Sequence, residues 1–370
     1  MMITKKVRIK PTKQQEVQLY KSSGTARFIY NWVLGKQQEN YKQGNKFIPD
    51  SVLRKEITQL KKTEEFNWLT EVSNNIPKQA VKDACNAYKR FFKGQAKFPK
   101  FKSRKKTRPS FYNDTQKLKV KEKLVLLEKI GWVRTSEQLP TDTKYYNPRI
   151  TFDGKYWYIS VSVEKEDEYE ELTNESLGID LGIKELAICS DGTIYGNINK
   201  TVKVKKLEKR LRRLQRKVSR KYQNNKEGST FVKTCNIIKL EKEIKLLQRR
   251  LSNIRKNHLH QTTSFIVKTK PRRIVIEDLN VSGMMKNRHL AKAIQKQGFY
   301  EFRRQLEYKT KNKGIELVIE NRFFPSSKTC SNCGTINKDL KLSDRVFNCK
   351  CGFSIDRDLN ASINLANYNI

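Results

Sequence analysis

"ESLGIDLGIKELAICSDGTIY", residues 175–195, reads as an apolar strand ending at Asp180, a turn through Gly182, a second strand at 185–189 and a turn at Asp191-Gly192. A carboxylate at the end of a strand projects from a rigid support, and the flanking glycines leave room for a phosphate backbone to approach. One acid in such a place is equally well an ordinary turn aspartate. The pattern gains weight by recurring. "KPRRIVIEDLNVSG" (270–283) is a buried-type strand with Glu277 and Asp278 at its exit, the end that faces the ligand crevice in α/β sheets. Alternation puts Glu277 with Val275 on one face and Asp278 with Ile276 on the other, so only one of the two acids can join a shared site. Asp278 also suits a cap on the following turn. "CKCGFSIDRDLNASINL" (349–365) ends in helical spacing, with Leu359 and Ile363 followed by Ala366, and sets Asp358 near a helix N-terminus where the dipole favours an anion. Read alone, Asp358 is an N-cap; Asp356 is a neighbouring acid that is either structural or supports a metal ligand from behind. As a set, Asp180, Glu277 and Asp358 could converge on one sheet. Their hard oxygens suit Mg²⁺, and two such ions stabilise the attacking and leaving oxygens of phosphodiester hydrolysis.

Between the second and third stretches lie Cys330 and Cys333 (C-x-x-C), then 15 intervening residues, then Cys349 and Cys351 (C-x-C). Each pair is followed by a glycine, Gly334 or Gly352, and four thiolates in this layout read as a tetrahedral zinc ribbon. The second pair is one residue shorter than usual. A closed four-sulfur site is structural, so Zn²⁺ is not expected to take part in catalysis. The other cysteines, Cys85, Cys189 and Cys235, read as buried small apolar residues.

The 370-residue chain carries 78 Lys and Arg against 38 Asp and Glu, a net charge of +40, which calls for a polyanionic partner. No stretch is apolar enough for a membrane span or a secretory signal, and a reducing, cytoplasmic compartment is expected. Residues 2–10 alternate as a strand ended by Pro11; one or two amphipathic helices follow, broken near Gly24, and another helix runs from Pro77 towards Gly94. Lys89 to Arg108 holds ten basic residues and no acid, interleaved with Phe91, Phe92, Phe98 and Phe101. Lys93, Lys97, Lys100, Lys102 and Arg104 are therefore candidate contacts to phosphates and stacked bases. Residues 116–164 read as antiparallel strands with a hairpin turn at Asp153-Gly154; Trp157, Ile159, Val161 and Val163 share one face. The acidic run at 164–172 reads as a linker. Residues 200–256 hold 21 basic residues and four Glu around leucines at helical spacing, a helical hairpin whose Arg210, Arg213, Arg216 and Lys217 are candidate nucleic-acid contacts.

"GIDLGIKELAICSDG" (178–192), "RIVIEDLNVSGMM" (273–285), "FFPSSKTCSNCG" (323–334) and "CKCGFSIDRDLNASINLAN" (349–367), in this order, resemble the signature of the TnpB family of transposon-encoded RNA-guided nucleases, relatives of the type V CRISPR effectors. The resemblance extends to "VRIKPTKQQ" (7–15) and to residues 291–318, and so covers essentially the whole chain. It implies a multidomain α+β protein with a RuvC-like (RNase H-type) nuclease core at 171–325 and 353–370. That core would be interrupted by the basic hairpin at about 200–262 and a zinc ribbon at 326–352. A β-barrel wedge domain (1–10 and 103–170) would hold a helical recognition domain (11–102). The implied catalytic triad is Asp180, Glu277 and Asp358, with Mg²⁺ as cofactor and a guide RNA and double-stranded DNA as partners, one chain per RNA. Ser362 stands where the family has Ala. Two other activities stay compatible with such a core: RNA-guided repression without cleavage, expected when triad acids are lost, and direct strand transfer as a transposase.

Overall fold

Alternation in "MITKKVRIK" produces the first strand, β1 (Met2–Lys10), and Pro11 ends it. The structure, a computed structural model, describes residues 2–165, 171–341 and 343–368. The chain divides into two compact units, Met1–Glu166 and Asp167–Ile370. The middle of the acidic run expected to be a linker, residues 166–170, lies outside the described residues.

In the first unit a reciprocal pair of hydrogen bonds between Thr12 and Gln15 caps α1 (Lys13–Lys42). This helix is continuous, where a break at Gly24 was expected. A glycine costs a helix interior roughly 1 kcal/mol, and packing of the buried Ser22, Ser23, Ile29 and Val33 outweighs it. Helices α2 (Asp50–Leu60) and α3 (Asn75–Phe92) complete a helical core with Leu34, Leu53, Val81 and Tyr88. Pro77 lies in the first turn of α3, as its missing N–H allows. Then come β2 (Ser110–Tyr112), β3 (Lys119–Lys121), β4 (Leu124–Leu127), β5 (Gly131–Thr135), β6 (Tyr146–Phe152) and β7 (Trp157–Glu164). They join β1 in an antiparallel sheet of order β2-β6-β7-β1-β5-β4-β3, whose ladder runs from edge to edge without closing among the described residues. Trp157, Ile159, Val161 and Val163 are buried on one face, as alternation required. The hairpin turns at Asp153-Gly154, where Asp153 Oδ1 accepts from the backbone N–H of Lys155 and of Tyr156.

The second unit is built on β8 (Thr173–Leu181), β9 (Glu185–Cys189), β10 (Ile194–Gly196), β13 (Pro271–Glu277) and β14 (Glu316–Glu320), in the order β10-β9-β8-β13-β14. β8, β13 and β14 are parallel, while β9 and β10 run back and forth at one side. The connection from β10 to β13 is the basic hairpin: α4 (Val202–Asn224), a small ribbon of β11 (Lys226–Glu227) and β12 (Thr230–Phe231), and α5 (Cys235–Lys268). The far half of α5 leaves the hairpin and buries Leu259, Ile266 and Val267 in the core with Ile179, Ile274 and Ile276. Short helices α6 (Val281–Met284) and α7 (Ala291–Gln297), then α8 (Phe299–Lys311), lead to β14. α8 adds Phe302 and Leu306 to that same core. After the cysteine segment, β15 (Val346–Asn348) and β16 (Ser354–Asp356) form a hairpin, and α9 (Arg357–Ala366) returns to the sheet. Cys85 and Cys189 are buried as expected, but Cys235 is exposed, because it starts α5 at the solvent end of the hairpin.

A candidate metal and catalytic centre

Asp180 and Glu277 end neighbouring parallel strands. Ile179 pairs with Ile276, so the two acids follow side by side at the C-terminal edge of the sheet, on one face. That face is the one covered by α9. A Cβ built on Gly178 would lie 1.9 Å from the Ser362 carbonyl oxygen and 2.4 Å from the Ala366 nitrogen, so the helix backbone rests directly on the strand. Gly178 thus serves the approach of a helix, where the sequence had suggested the approach of a phosphate. Asp358 lies one helical turn before Ser362, about 6 Å along α9, and Asp180 lies two residues beyond Gly178, about 6.6 Å along β8. The charge of Asp358 is felt by Asp180, so these offsets lie in the direction that brings the two acids towards each other.

Electrostatics registers the convergence. Burial pushes the Asp180 carboxyl up to about 7, and the charges of Asp358 and Glu277 add to the effect, partly offset by Arg357. Burial raises Glu277 as well, with Asp278 contributing. Asp358 Oδ1 accepts from Arg357 Nε at 3.2 Å and Nη2 at 3.0 Å, and its Oδ2 lies 3.9 Å from Arg345. Among the described residues the four cysteines are the group whose ligand atoms all lie within 4.8 Å of one another, a closeness the three carboxylates do not reach.

The neighbouring acids have other partners. Asp356, not Asp358, is the N-cap of α9: its Oδ1 accepts from the backbone N–H of Asp358 at 3.0 Å and of Leu359 at 3.1 Å. Asp278 caps no turn among the described residues; it pairs with Arg322 at 2.6 Å and Arg303 at 3.0 Å, which hold its carboxyl below the usual range. Sequence reading missed Glu320, buried on β14 in register with Glu277. It also missed two asparagines of α9. Asn360 Nδ2 donates to Thr329 O at 2.7 Å and its Oδ1 accepts from Ser331 N, while Asn364 donates to Ser326 O and Thr329 O. The buried face of α9 is therefore Asn360, Ala361, Ser362, Asn364, Leu365 and Ala366; of the stripe expected from spacing only Ala366 is fully buried, Leu359 and Ile363 being half-buried. Polar residues inside a helical pattern signal such a role only weakly.

Those asparagines fasten the first cysteine loop onto the helix that carries Asp358. Cys330 Sγ lies 3.8 Å from Cys351 Sγ, and Cys333 Sγ 3.5 Å from Cys349 Sγ. Four sulfurs about 2.3 Å from a central zinc are about 3.8 Å apart in a tetrahedron, so the donor set fits Zn²⁺. Gly334 and Gly352, at φ of +75° and +87°, turn the chain after each pair.

Of the candidate basic residues, Lys93, Lys97, Lys100 and Arg104 are exposed. Lys102 is not free in that way: its Nζ sits 3.4 Å over the Tyr30 ring, and burial lowers its ammonium despite Asp83 nearby. On α4, Arg213, Arg216 and Lys217 are exposed and Arg210 pairs across the hairpin with Glu243 at 2.5 Å. No helix among the described residues is long and apolar enough to cross a membrane.

Three family models match the chain: one described as "Probable transposase" over residues 158–288, one as "Cas12f1-like, TNB domain" over 299–365, and one as "Helix-turn-helix domain" over 1–46. The last description differs from the geometry, since residues 2–46 hold one strand and one 30-residue helix. The Escherichia coli K12 protein named "Putative RNA-guided DNA endonuclease InsQ" is 32% identical over 97% of this chain and 90% of its own length. A Streptomyces pristinaespiralis protein of the same description is 32% identical over 97% of this chain and 87% of its own length. Among solved structures, Cas12f1 in its sgRNA–target DNA complex aligns with a TM-score of 0.60 at 16% identity, over 95% of this chain and 82% of that one. The mini-RNA-guided endonuclease CRISPR-Cas phi3 aligns with a TM-score of 0.53 at 11% identity, over 99% and 92%. Those two establish the likeness of a mixed α/β multidomain fold; the sequence relatives, matched nearly end to end, establish that this chain belongs to the TnpB family.

Proposed function

We propose that this chain is an RNA-guided DNA endonuclease of a transposon, using a guide RNA from the transposon end and cutting DNA at a RuvC-like centre formed by Asp180, Glu277 and Asp358. The observation that carries the site is the grouping of three carboxylates at one edge of the second unit's sheet. The strand order sets the two strands that carry Asp180 and Glu277 side by side in the middle of that sheet, which supports the reading. The domain scheme proposed with it is a wedge at 1–10 and 103–170, a recognition domain at 11–102, a nuclease at 171–325 and 353–370 with a hairpin at about 200–262, and a ribbon at 326–352. A prokaryotic cytosol suits such a protein.

Asp180 and Glu277 would hold Mg²⁺ from rigid strands and Asp358 from the first turn of α9. Asp180, whose affinity for a proton is raised by burial and by the charges of Asp358 and Glu277, belongs to a donor set that a cation relieves. Two Mg²⁺ would activate water and stabilise the attacking and leaving oxygens of the phosphodiester. Arg357, hydrogen-bonded to Asp358, partly offsets the upward push on the Asp180 carboxyl. The four cysteines would hold one structural Zn²⁺, and Asn360 and Asn364 couple that ribbon to the helix bearing Asp358. Exposed bases on α4 and after α3 would contact nucleic-acid backbones, leaving sequence to pairing with the guide.

The test is to purify the protein with its RNA, sequence that RNA, and supply DNA matching its variable segment together with Mg²⁺. Cleavage by the wild type, lost in Asp180→Asn, Glu277→Gln and Asp358→Ala while RNA stays bound, is the expected result. Full cutting by Asp358→Ala refutes the triad, cutting that survives RNase refutes guide dependence, and tight DNA binding without cutting identifies a repressor. The "Probable transposase" description of the matching model keeps direct strand transfer in view; excision and integration assays with the protein alone decide it.

A further inference from the structure

The helical part of the first unit holds a cavity of about 620 Å³ between the end of α1, the loop that follows it and the end of α3. Tyr41, Phe47, Tyr88, Phe91, Phe92 and Phe98 line it. Its wall is fixed from within. The buried Gln37 side chain donates to Ile48 O at 2.7 Å and accepts from Ile48 N at 3.1 Å, and Asn40 Nδ2 donates to Lys46 O at 2.6 Å. The rings brace one another edge to face, Phe47 on Phe92 at 86° and Phe91 on Phe98 at 85°. Yet Phe92 remains 59% and Phe98 47% exposed, and Tyr41 75%. A cluster of large aromatic rings left facing water marks a binding surface more often than an unused one.

Charge decides the kind of partner. Lys42 and Lys46 line the cavity, and no acidic side chain does. Lys93 and Lys97 are exposed and adjoin Phe92 and Phe98 in the chain. A second copy of a +40 chain would bring a like lysine rim against this one and be repelled. Aromatic faces rimmed by cations match a nucleobase whose own phosphates flank it. Duplex DNA keeps its bases stacked and paired, whereas folded RNA presents unpaired bases that can be splayed onto aromatic side chains. We propose that this cavity receives an unpaired base of RNA, stacked on Phe92 and Phe98, with the adjacent phosphates on Lys42, Lys46, Lys93 and Lys97; the assignment rests on the RNA-binding reading above.

Full-length protein stripped of nucleic acid at high salt is titrated with a short single-stranded RNA carrying one 2-aminopurine, whose fluorescence reports stacking. The wild type quenches the probe. The Phe92→Ala/Phe98→Ala double variant loses the quench and binds about 5- to 150-fold more weakly, the effect of one lost base stack, with an unchanged dependence on salt. Lys42→Gln/Lys46→Gln keeps the quench and shows a shallower salt dependence. Phe98→Leu, which preserves apolar bulk without a ring, also weakens the quench, so the loss is not one of folding. Equal quenching and affinity in the wild type and the double variant overturn the proposal. Equal quenching of the same oligonucleotide made as DNA overturns its assignment to RNA, and a concentration-dependent dimer abolished by Phe92→Ala/Phe98→Ala gives the surface to a second copy. RNA co-purifying equally with the wild type and the double variant, with no quench in either, refutes this cavity alone. Absence of RNA from the wild type refutes the guide-dependent function.

Discussion

Asp180→Asn should make the metal-free protein more stable while abolishing its cleavage. The Asp180 carboxyl is raised from an ordinary 3.8 to about 7 by burial and by the charges of Asp358 and Glu277. Each tenfold gain in proton affinity is worth about 1.4 kcal/mol, so the rise from 3.8 to about 7 bounds the cost of its charge at about 4 kcal/mol. Partial exposure and the freedom of its neighbours to move apart reduce this to about 2 kcal/mol. The sign follows from a folded-state pKa above the unfolded one. Stability relative to the asparagine variant is retained at about pH 4, falls as pH rises towards 7, and is lowest above it. In chelator at about pH 8 the variant should therefore unfold about 4–8 °C above the wild type, and the two should converge towards pH 4. Added Mg²⁺ should raise the wild-type midpoint and leave the variant's almost unmoved. Thermal melts of both proteins across that pH range, with and without Mg²⁺, provide the measurement. A variant no more stable than the wild type at pH 8 in chelator would refute the idea that these carboxylates are held together against their own repulsion.

Gly178→Ala should cost about 3 kcal/mol or more, at the top of the range for overpacking, because the added carbon would meet backbone atoms of α9 at 1.9 and 2.4 Å; urea denaturation gives the value, and a neutral result would deny that the helix rests on this strand. Asp356→Ala should lose about 1 kcal/mol of stability through its cap and keep cleavage, whereas Asp358→Ala should keep the cap and lose cleavage; melts and DNA-cutting assays on the pair read the two roles separately. One equivalent of zinc should be found by elemental analysis and should leave on Cys351→Ser, with faster amide exchange at 326–356 reaching into the first turn of α9 through Asn360. Zinc-free wild-type protein would remove the basis for that coupling.

Much of this molecule is legible in short stretches of chain. Trp157 to Val163 alternate and are buried on alternate positions, Gly154 turns the hairpin, Pro77 starts a helix, and four cysteines in paired loops meet. In each case steric preference, side-chain period or ligand spacing acts among neighbours in sequence, so the residues carry their own outcome. The break expected at Gly24 failed because tertiary packing of α1 overrides local propensity. Spacing named three acids as candidates but could not say which member of each acidic pair had other work. Arg303 and Arg322 decide that for Asp278, and the backbone of α9 decides it for Asp356, through contacts invisible in the stretches themselves. Lys102 likewise reads as one more base in a basic run until the fold brings it onto Tyr30. The sequence by itself determined the kinds of chemistry the chain can hold, in its carboxylates, thiols and cations. Only the tertiary structure decided which charges remain unneutralised and which are taken up by partners, because an ion's environment depends on groups that folding brings near from far along the chain.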